Sequence, residues 1–202
     1  MAKWHAYGRC KTRLSKDIGK ISSANVQRKM TEHTISVAKS LEKNGLIDIS
    51  LAISGLGLKK SKRWSNELGI KNFHLQGRGC LGEKMKRQIL INKKFSLKKT
   101  STIIFIGTDL PDFCHMDLLN TLRKLKNNDL ILGPSNDGGY WLIAFSERLL
   151  STHLYLPFIN IKWSKENVLE KTINNFSTMD LKYDFLHRKI DIDRIVDIEK
   201  RK

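Results

Sequence analysis

The stretch Thr102-Ile103-Ile104-Phe105-Ile106 constrains the fold of this chain more than any other segment. Its apolar run is unbroken by polar alternation, the pattern of a strand covered on both faces. Such a strand belongs at the centre of a parallel sheet with helices on either side. Gly107-Thr108-Asp109-Leu110-Pro111 follows at once, so a carboxylate stands where the strand opens into a loop. Open α/β sheets bind their ligands at such carboxyl ends.

The rest of the chain repeats the alternation. Helical spacing predicts helices over 22–44 (capped by Ser22 or Ser23 and stopped by Gly45), over 61–68, from Leu81 to about Lys94, along Leu118, Leu119, Leu122 and Leu125, and over 164–176. Leu81, Met85, Ile89 and Phe95 are expected on one buried face. Strands are predicted at Leu46–Ile53, Asn72–Gln76, Thr102–Ile106, Asp129–Leu132 and Tyr140–Phe145. This order indicates an open α/β sheet, and 202 residues without a linker or repeat suit one domain spanning 1–202. Met1–Trp4 leave about four residues, roughly 13 Å, for an opening strand. That strand reads as a stub, or as one shortened by a late start codon, with the loop after it anchored on one side only.

The formal net charge of +17 predicts affinity for polyanions and suits phosphate-bearing substrates. Its lysine knots, Lys59-Lys60 with Lys62-Arg63 and Lys93-Lys94 with Lys98-Lys99, interleave only Trp64 and Phe95. A nucleic-acid face needs more aromatic surface than that, so the knots read as solvated surface and nucleic acid is not the expected partner. A non-enzymatic RNA- or anionic-surface-binding protein is the alternative from another class. Cys10, Cys80 and Cys114 form no Cys-x-x-Cys pair, which argues for a reducing compartment. No apolar run approaches the roughly 18 residues of a membrane span, and the cytoplasm is the expected location.

Four segments carry candidate chemistry. Gly8-Arg9-Cys10-Lys11-Thr12-Arg13-Leu14 sets three cations behind a glycine, a loop able to wrap a diphosphate. Asp109, near such a loop, suits Mg²⁺ or Mn²⁺ bridging diphosphate oxygens; its other reading is the N-cap of the helix after Pro111. Asp191-Ile192-Asp193, with Asp197 beyond, is either a solvated acidic turn or a source of a second metal ligand beside Asp109. Leu130–Ile143 places Asp137-Gly138-Gly139-Tyr140 between two apolar runs, which fits a site loop or a plain hairpin, since Asp-Gly is also a turn signal. Gly77-Arg78-Gly79-Cys80-Leu81-Gly82 matches Gly-x-Gly-x-x-Gly, but lysines stand where a dinucleotide site needs its acidic residue.

In this order the pieces resemble the DUF2064 family, also known as rSAM/selenodomain-associated transferases. The match is carried by Gly8-Arg9-x-Lys11-Thr12-Arg13-Leu14, Gln76, Leu81-Gly82-Glu83-Lys84-Met85, and Gly107-Thr108-Asp109-Leu110-Pro111. It continues through Gly133-Pro134-x-x-Asp137-Gly138-Gly139-Tyr140-Trp141-Leu142-Ile143 and Trp163-Ser164 with Val168, Leu169 and Thr172. The resemblance implies a predicted glycosyltransferase of the GT-A, nucleotide-diphospho-sugar transferase-like fold: a three-layer α/β/α sandwich with a mostly parallel sheet. It implies donor or acceptor contacts from Gly8, Arg9, Lys11, Arg13, Gln76, Gly138, Gly139, Tyr140 and Trp163. More distantly the arrangement is similar to GT-A nucleotidyltransferases that make molybdenum and deazaflavin cofactors, which implies Asp109 and Asp193 as metal ligands. Asp137 is then the candidate base. The chain departs from the family at His5 and Tyr7, where prolines are usual, at Cys80 for Asp and at Lys165 for Thr. The expected function is a metal-dependent transferase with a nucleotide-activated sugar donor, the alternative on the same fold being a nucleotidyltransferase. Lys11, Arg13, Asp109 and Asp137 are expected to converge on one cleft.

Overall fold

A computed structural model describes residues 1–95, 102–163, 165–177, 179 and 181–199, Phe95 by its backbone alone. Lys98, Lys99, Ser164 and the side chain of Phe95 lie outside the described residues. The elements run β1 (Ala2–Lys3), α1 (Leu14–Lys43), β2 (Ser50–Ser54), α2 (Leu58–Glu67), β3 (Asn72–Leu75), α3 (Leu81–Phe95), β4 (Ile103–Ile106) and α4 (His115–Lys124). They continue with β5 (Leu130–Pro134), β6 (Tyr140–Phe145), α5 (Glu147–Thr152), a 3-10 turn (Leu156–Phe158), α6 (Val168–Asn174), β7 (Tyr183–Phe185) and α7 (Ile195–Glu199). The fold is α/β, and the chain clusters into two compact units.

The first unit comprises Met1–Gln76, Gly107–His115 and Ile190–Lys202. Its sheet is parallel, in the order β1-β2-β3, with Ala2 beside Ile53 and Ser50 beside Asn72. Ala2, Ile35, Leu51, Ile53, Trp64 and Ile70 form its core. Of the departures seen in the sequence, His5 has packing work here: it lies 4.0 Å from the Trp4 ring and 5.8 Å from Trp64. Burial, aided by the nearby Arg28, lowers the His5 pKa. A second cluster joins Leu14 and Met30 of α1 to Ile192, so burying Ile192 fixes the segment that carries Asp193.

α1 starts eight residues before the expected helix. Gly19, at φ 82° and ψ 161°, is non-helical and separates a first turn, which buries Leu14, from the long helix behind it. Ser23 therefore lies inside the helix and donates to the Lys20 carbonyl at 3.1 Å instead of capping. The other boundaries move by a few residues, as helix and strand ends commonly do.

The second unit comprises Gly77–Ile106 and Met116–Lys189, with a sheet in the order β4-β6-β5-β7. β6 pairs antiparallel with both β4 and β5, and β5 pairs parallel with β7. Among the described residues the partner of the Ile103–Ile106 strand is thus antiparallel, not parallel as its apolar run suggested. That run reports burial of both faces; it does not encode the direction of a neighbour. Leu130, Ile131, Leu132, Leu142, Ile143, Ala144 and Phe145 are fully or almost fully buried, so this sheet is covered on both sides. On α3, Met85 and Ile89 are buried as expected, whereas Leu81 is 43% exposed.

The Gly-x-Gly-x-x-Gly run makes a helix cap. The Cys80 N–H donates to Glu83 at 2.7 Å, and that bond holds the Glu83 carboxyl below its ordinary pKa. Arg87 reaches back to the Arg78 carbonyl at 3.1 Å. Of the lysine knots, Lys59, Lys60 and Lys62 are exposed on α2, and Lys93 donates to the Leu150 carbonyl at 2.9 Å. All three cysteines are free. Among the described residues no helix is long and apolar enough to cross a membrane.

Candidate active site

Gly8, at φ 71°, turns the chain out of β1, and Lys11 follows with φ 45°. A non-glycine residue in the left-handed region costs about 1–3 kcal/mol and persists only where its surroundings enforce it. At Lys11 the side chain supplies the reason. Its ammonium pairs with Asp109 at 3.0 Å and with Asp193 at 3.2 Å, while the lysine side chain is only 3% exposed. Burial disfavours the charge, but the two carboxylates outweigh it and the Lys11 pKa is raised. Arg13, itself exposed, meets the second oxygen of Asp193 at 3.1 Å. Arg9 is exposed and its side chain is not drawn into this group.

Asp109 leaves the loop after β4. α4 begins only at His115, so Asp109 does not cap that helix. The Gln27 amide, on α1, donates to Asp109 Oδ1 at 3.3 Å and to Thr108 Oγ1 at 3.4 Å, and Gln27 is buried. Gln27 is a site residue that the motifs miss. The available signal is a polar line, Gln27, Thr31 and Thr34, on the face of α1 that also buries Ala24 and Met30. The Ile192 N–H donates to the Asp109 carbonyl at 3.1 Å, which places Asp193 beside Asp109. Asp197 instead shapes the turn, accepting the backbone N–H groups of Asp193 and Arg194.

Two oxygens, Asp109 Oδ2 and Asp193 Oδ1, thus converge on one cation, the Lys11 ammonium. A hard divalent ion commonly takes one or two carboxylates and completes its shell with water and substrate phosphate. The donor set fits Mg²⁺ or Mn²⁺ in chemistry and number, in exchange for the ammonium. Among the described residues no group of three or more His, Cys, Asp or Glu could hold a metal, so substrate oxygens would have to complete the shell.

Gln76, which the resemblance implies as a substrate contact, has a structural use in the first unit. It is buried, and its amide donates to the carbonyls of Ala2 at 3.1 Å and Ala52 at 3.0 Å, tying β1 to β2. Gln76→Ala should therefore cost about 1–3 kcal/mol in urea unfolding, because buried carbonyls lose their donor. Unchanged stability with weakened ligand binding would point to the substrate role instead.

Asp137 belongs to the second unit. β5 and β6 are an antiparallel pair, so Leu130–Ile143 folds as a hairpin with Asp137 between its strands. Asp137 Oδ1 accepts from the Ser135 hydroxyl and from the Gly139 N–H at 3.0 Å. The loop is tied to the chain that follows β7: Arg188 donates to the Ser135 carbonyl at 2.8 Å, and the Lys189 N–H to the Pro134 carbonyl at 3.1 Å. Gly138 has a structural reason to be glycine. At φ 80°, its missing Cβ would fall on the Glu166 carbonyl, and its own carbonyl accepts from the Leu169 N–H at 2.9 Å. Nearest to the missing Cβ of Gly139 are the Asp137 and Ser135 side chains. Tyr140 is half-buried, and burial raises its phenol pKa far above the ordinary range, a shift the Thr172 hydroxyl opposes. Trp163 sets its indole where a Cβ on Gly82 would fall and lies edge-on to Tyr140, with ring centroids 6.4 Å apart.

The described fold is of the GT-A, nucleotide-diphospho-sugar transferase-like class. A crystal structure from Desulfovibrio desulfuricans G20, provisionally described as a nucleotide-diphospho-sugar transferase, matches with a TM-score of 0.86 at 24% identity, over 98% of this chain and 81% of that one. A 4-diphosphocytidyl-2C-methyl-D-erythritol synthase from Anaerococcus prevotii DSM 20548 matches with a TM-score of 0.60 at 14% identity, over 98% and 94% of the two chains. The chain belongs to DUF2064, the family described as "Uncharacterized protein conserved in bacteria", whose pattern matches residues 37–165. No curated protein matches the sequence.

Proposed function

We propose that the chain is a metal-dependent transferase that uses a nucleotide-activated sugar donor. The observation that carries this reading is the Lys11 ammonium shared by Asp109 and Asp193, with Arg13 on the same Asp193. Cations and carboxylates held together in this way are what a metal-bound diphosphate needs. The fold likeness to a protein described as a nucleotide-diphospho-sugar transferase supports the same donor class.

In this reading Lys11 and Arg13, helped by Arg9, neutralise the donor diphosphate. Asp109 and Asp193 would hold Mg²⁺ or Mn²⁺, which supplies positive charge for the departing nucleoside diphosphate. Gln27 orients Asp109 from behind through its amide. Asp137 is the base for the acceptor hydroxyl. Both of its hydrogen bonds run to Oδ1, which leaves Oδ2 to take the proton. Tyr140, with its pKa far above neutrality, contributes shape and packing, not proton transfer.

Calorimetry with a panel of nucleotide sugars and nucleoside triphosphates, with and without Mn²⁺, tests the assignment. Asp109→Ala should weaken metal-dependent donor binding about a hundredfold, roughly 2.7 kcal/mol. A variant that binds donor and Mn²⁺ like the wild type would sink the assignment. The second reading, nucleotidyl transfer, draws on the likeness to a synthase named for a diphosphocytidyl product. Product analysis separates the two. Released nucleoside diphosphate supports sugar transfer, and released pyrophosphate supports nucleotidyl transfer.

A further inference from the structure

Within the second unit, an open surface groove of about 670 Å³ is lined by Lys162, Lys165, Glu166, Asn167 and Lys171. Three ammonium groups against one carboxylate leave two positive charges around it, the complement of a phosphate dianion. Lys162 and Lys165 are exposed and Lys171 is half-buried, so the charges are screened but accessible. Asn167 adds an uncharged amide able to donate to phosphate oxygen.

The groove adjoins the Asp137 loop through direct backbone contact. Gly138 abuts the Glu166 carbonyl, and Leu169 donates to the Gly138 carbonyl at 2.9 Å. Glu166, which lines the groove, thus touches through its backbone the residue that follows the candidate base in the chain. From this juxtaposition we infer that the groove binds the phosphate group of the acceptor, so the acceptor of this transferase is a small phosphorylated molecule. The inference rests on the assignment of Asp137 as base, and it makes the phosphate a handle while a hydroxyl of the same molecule is the nucleophile. The lysines bind and orient; no bond to phosphorus changes.

The probe is glycerol 3-phosphate, titrated into the full chain without donor or metal and followed by NMR shift changes and calorimetry. Glycerol and glycerate serve as neutral and carboxylate controls. The wild type should bind glycerol 3-phosphate at least tenfold more tightly than either control. Replacing Lys162, Lys165 and Lys171 together by Gln should weaken that binding at least tenfold. The same replacement of Lys59, Lys60 and Lys62, which are exposed on α2, should leave it unchanged. Equal losses in both triple variants would show that the +17 charge alone attracts the anion and would overturn the site. No loss in the first variant, or glycerate binding as tight as glycerol 3-phosphate, would overturn it equally. Because no nucleotide is present, failure here is separate from failure of the donor assignment at Lys11 and Asp109.

Discussion

Gly138→Ala should destabilise the protein by about 4 kcal/mol or more, near the top of the range for single substitutions. Two effects add. The backbone at φ 80° disfavours any side chain by about 1–2 kcal/mol. The new methyl would also overlap the Glu166 carbonyl, which is backbone and has no rotamer to give way. Relief therefore requires moving α6 off the loop and breaking the bond from Leu169 to Gly138. Gly45→Ala provides the control, because Gly45 has a similar φ of 67° and nothing within 4 Å of its missing Cβ. It should lose only about 1–2 kcal/mol. Urea unfolding of both variants reads the difference as the cost of close approach. Equal losses would mean that α6 does not pack on Gly138. The result also bears on function, because it locates the need for this glycine in the attachment of the Asp137 loop to Glu166 and Leu169.

What the sequence makes legible follows the range of each interaction. Asp109 stands in the loop that opens from the apolar strand β4, and Lys11 in a basic loop behind a glycine, and both signals can be seen without knowing any partner. Asp193 is visible only as one of several late carboxylates. Its selection depends on Ile192, which packs on Leu14 and Met30 and donates to Asp109, contacts that no local pattern announces. Gln27 escapes for the same reason, since its partner Thr108 is 81 positions away. Paired glycines signal a special backbone but not its cause, so Gly138 could suggest substrate approach when the close neighbour is Glu166. Gln76, which the resemblance names as a contact, also has a structural use that no local pattern announces, since its amide donates to carbonyls of both β1 and β2. β7 has only three residues, too few for alternation to stand out, and its pairing with β5 supplies what its own pattern lacks.

Lys11→Met should lower stability by about 2–3 kcal/mol and remove donor binding. Breaking a fully buried ion pair costs roughly 3–5 kcal/mol because a charge is stranded. Here Asp109 and Asp193 keep 41% and 40% side-chain exposure, so water relieves part of that cost. The two carboxylates then face each other without the ammonium between them. Mn²⁺ can satisfy the same oxygens, so thermal melting should show the variant stabilised by Mn²⁺ more than the wild type. The pH dependence has a definite sign. A lysine whose folded pKa is raised contributes its stability in full below the unfolded value of 10.5, and loses it as pH rises through the higher folded value. The gap between wild type and variant should therefore stay level from about pH 6 to about pH 9 and close only in strongly alkaline solution. A gap that closes near neutrality, or a variant as stable as the wild type and indifferent to Mn²⁺, would mean that Lys11 is not the charge that holds Asp109 and Asp193 together.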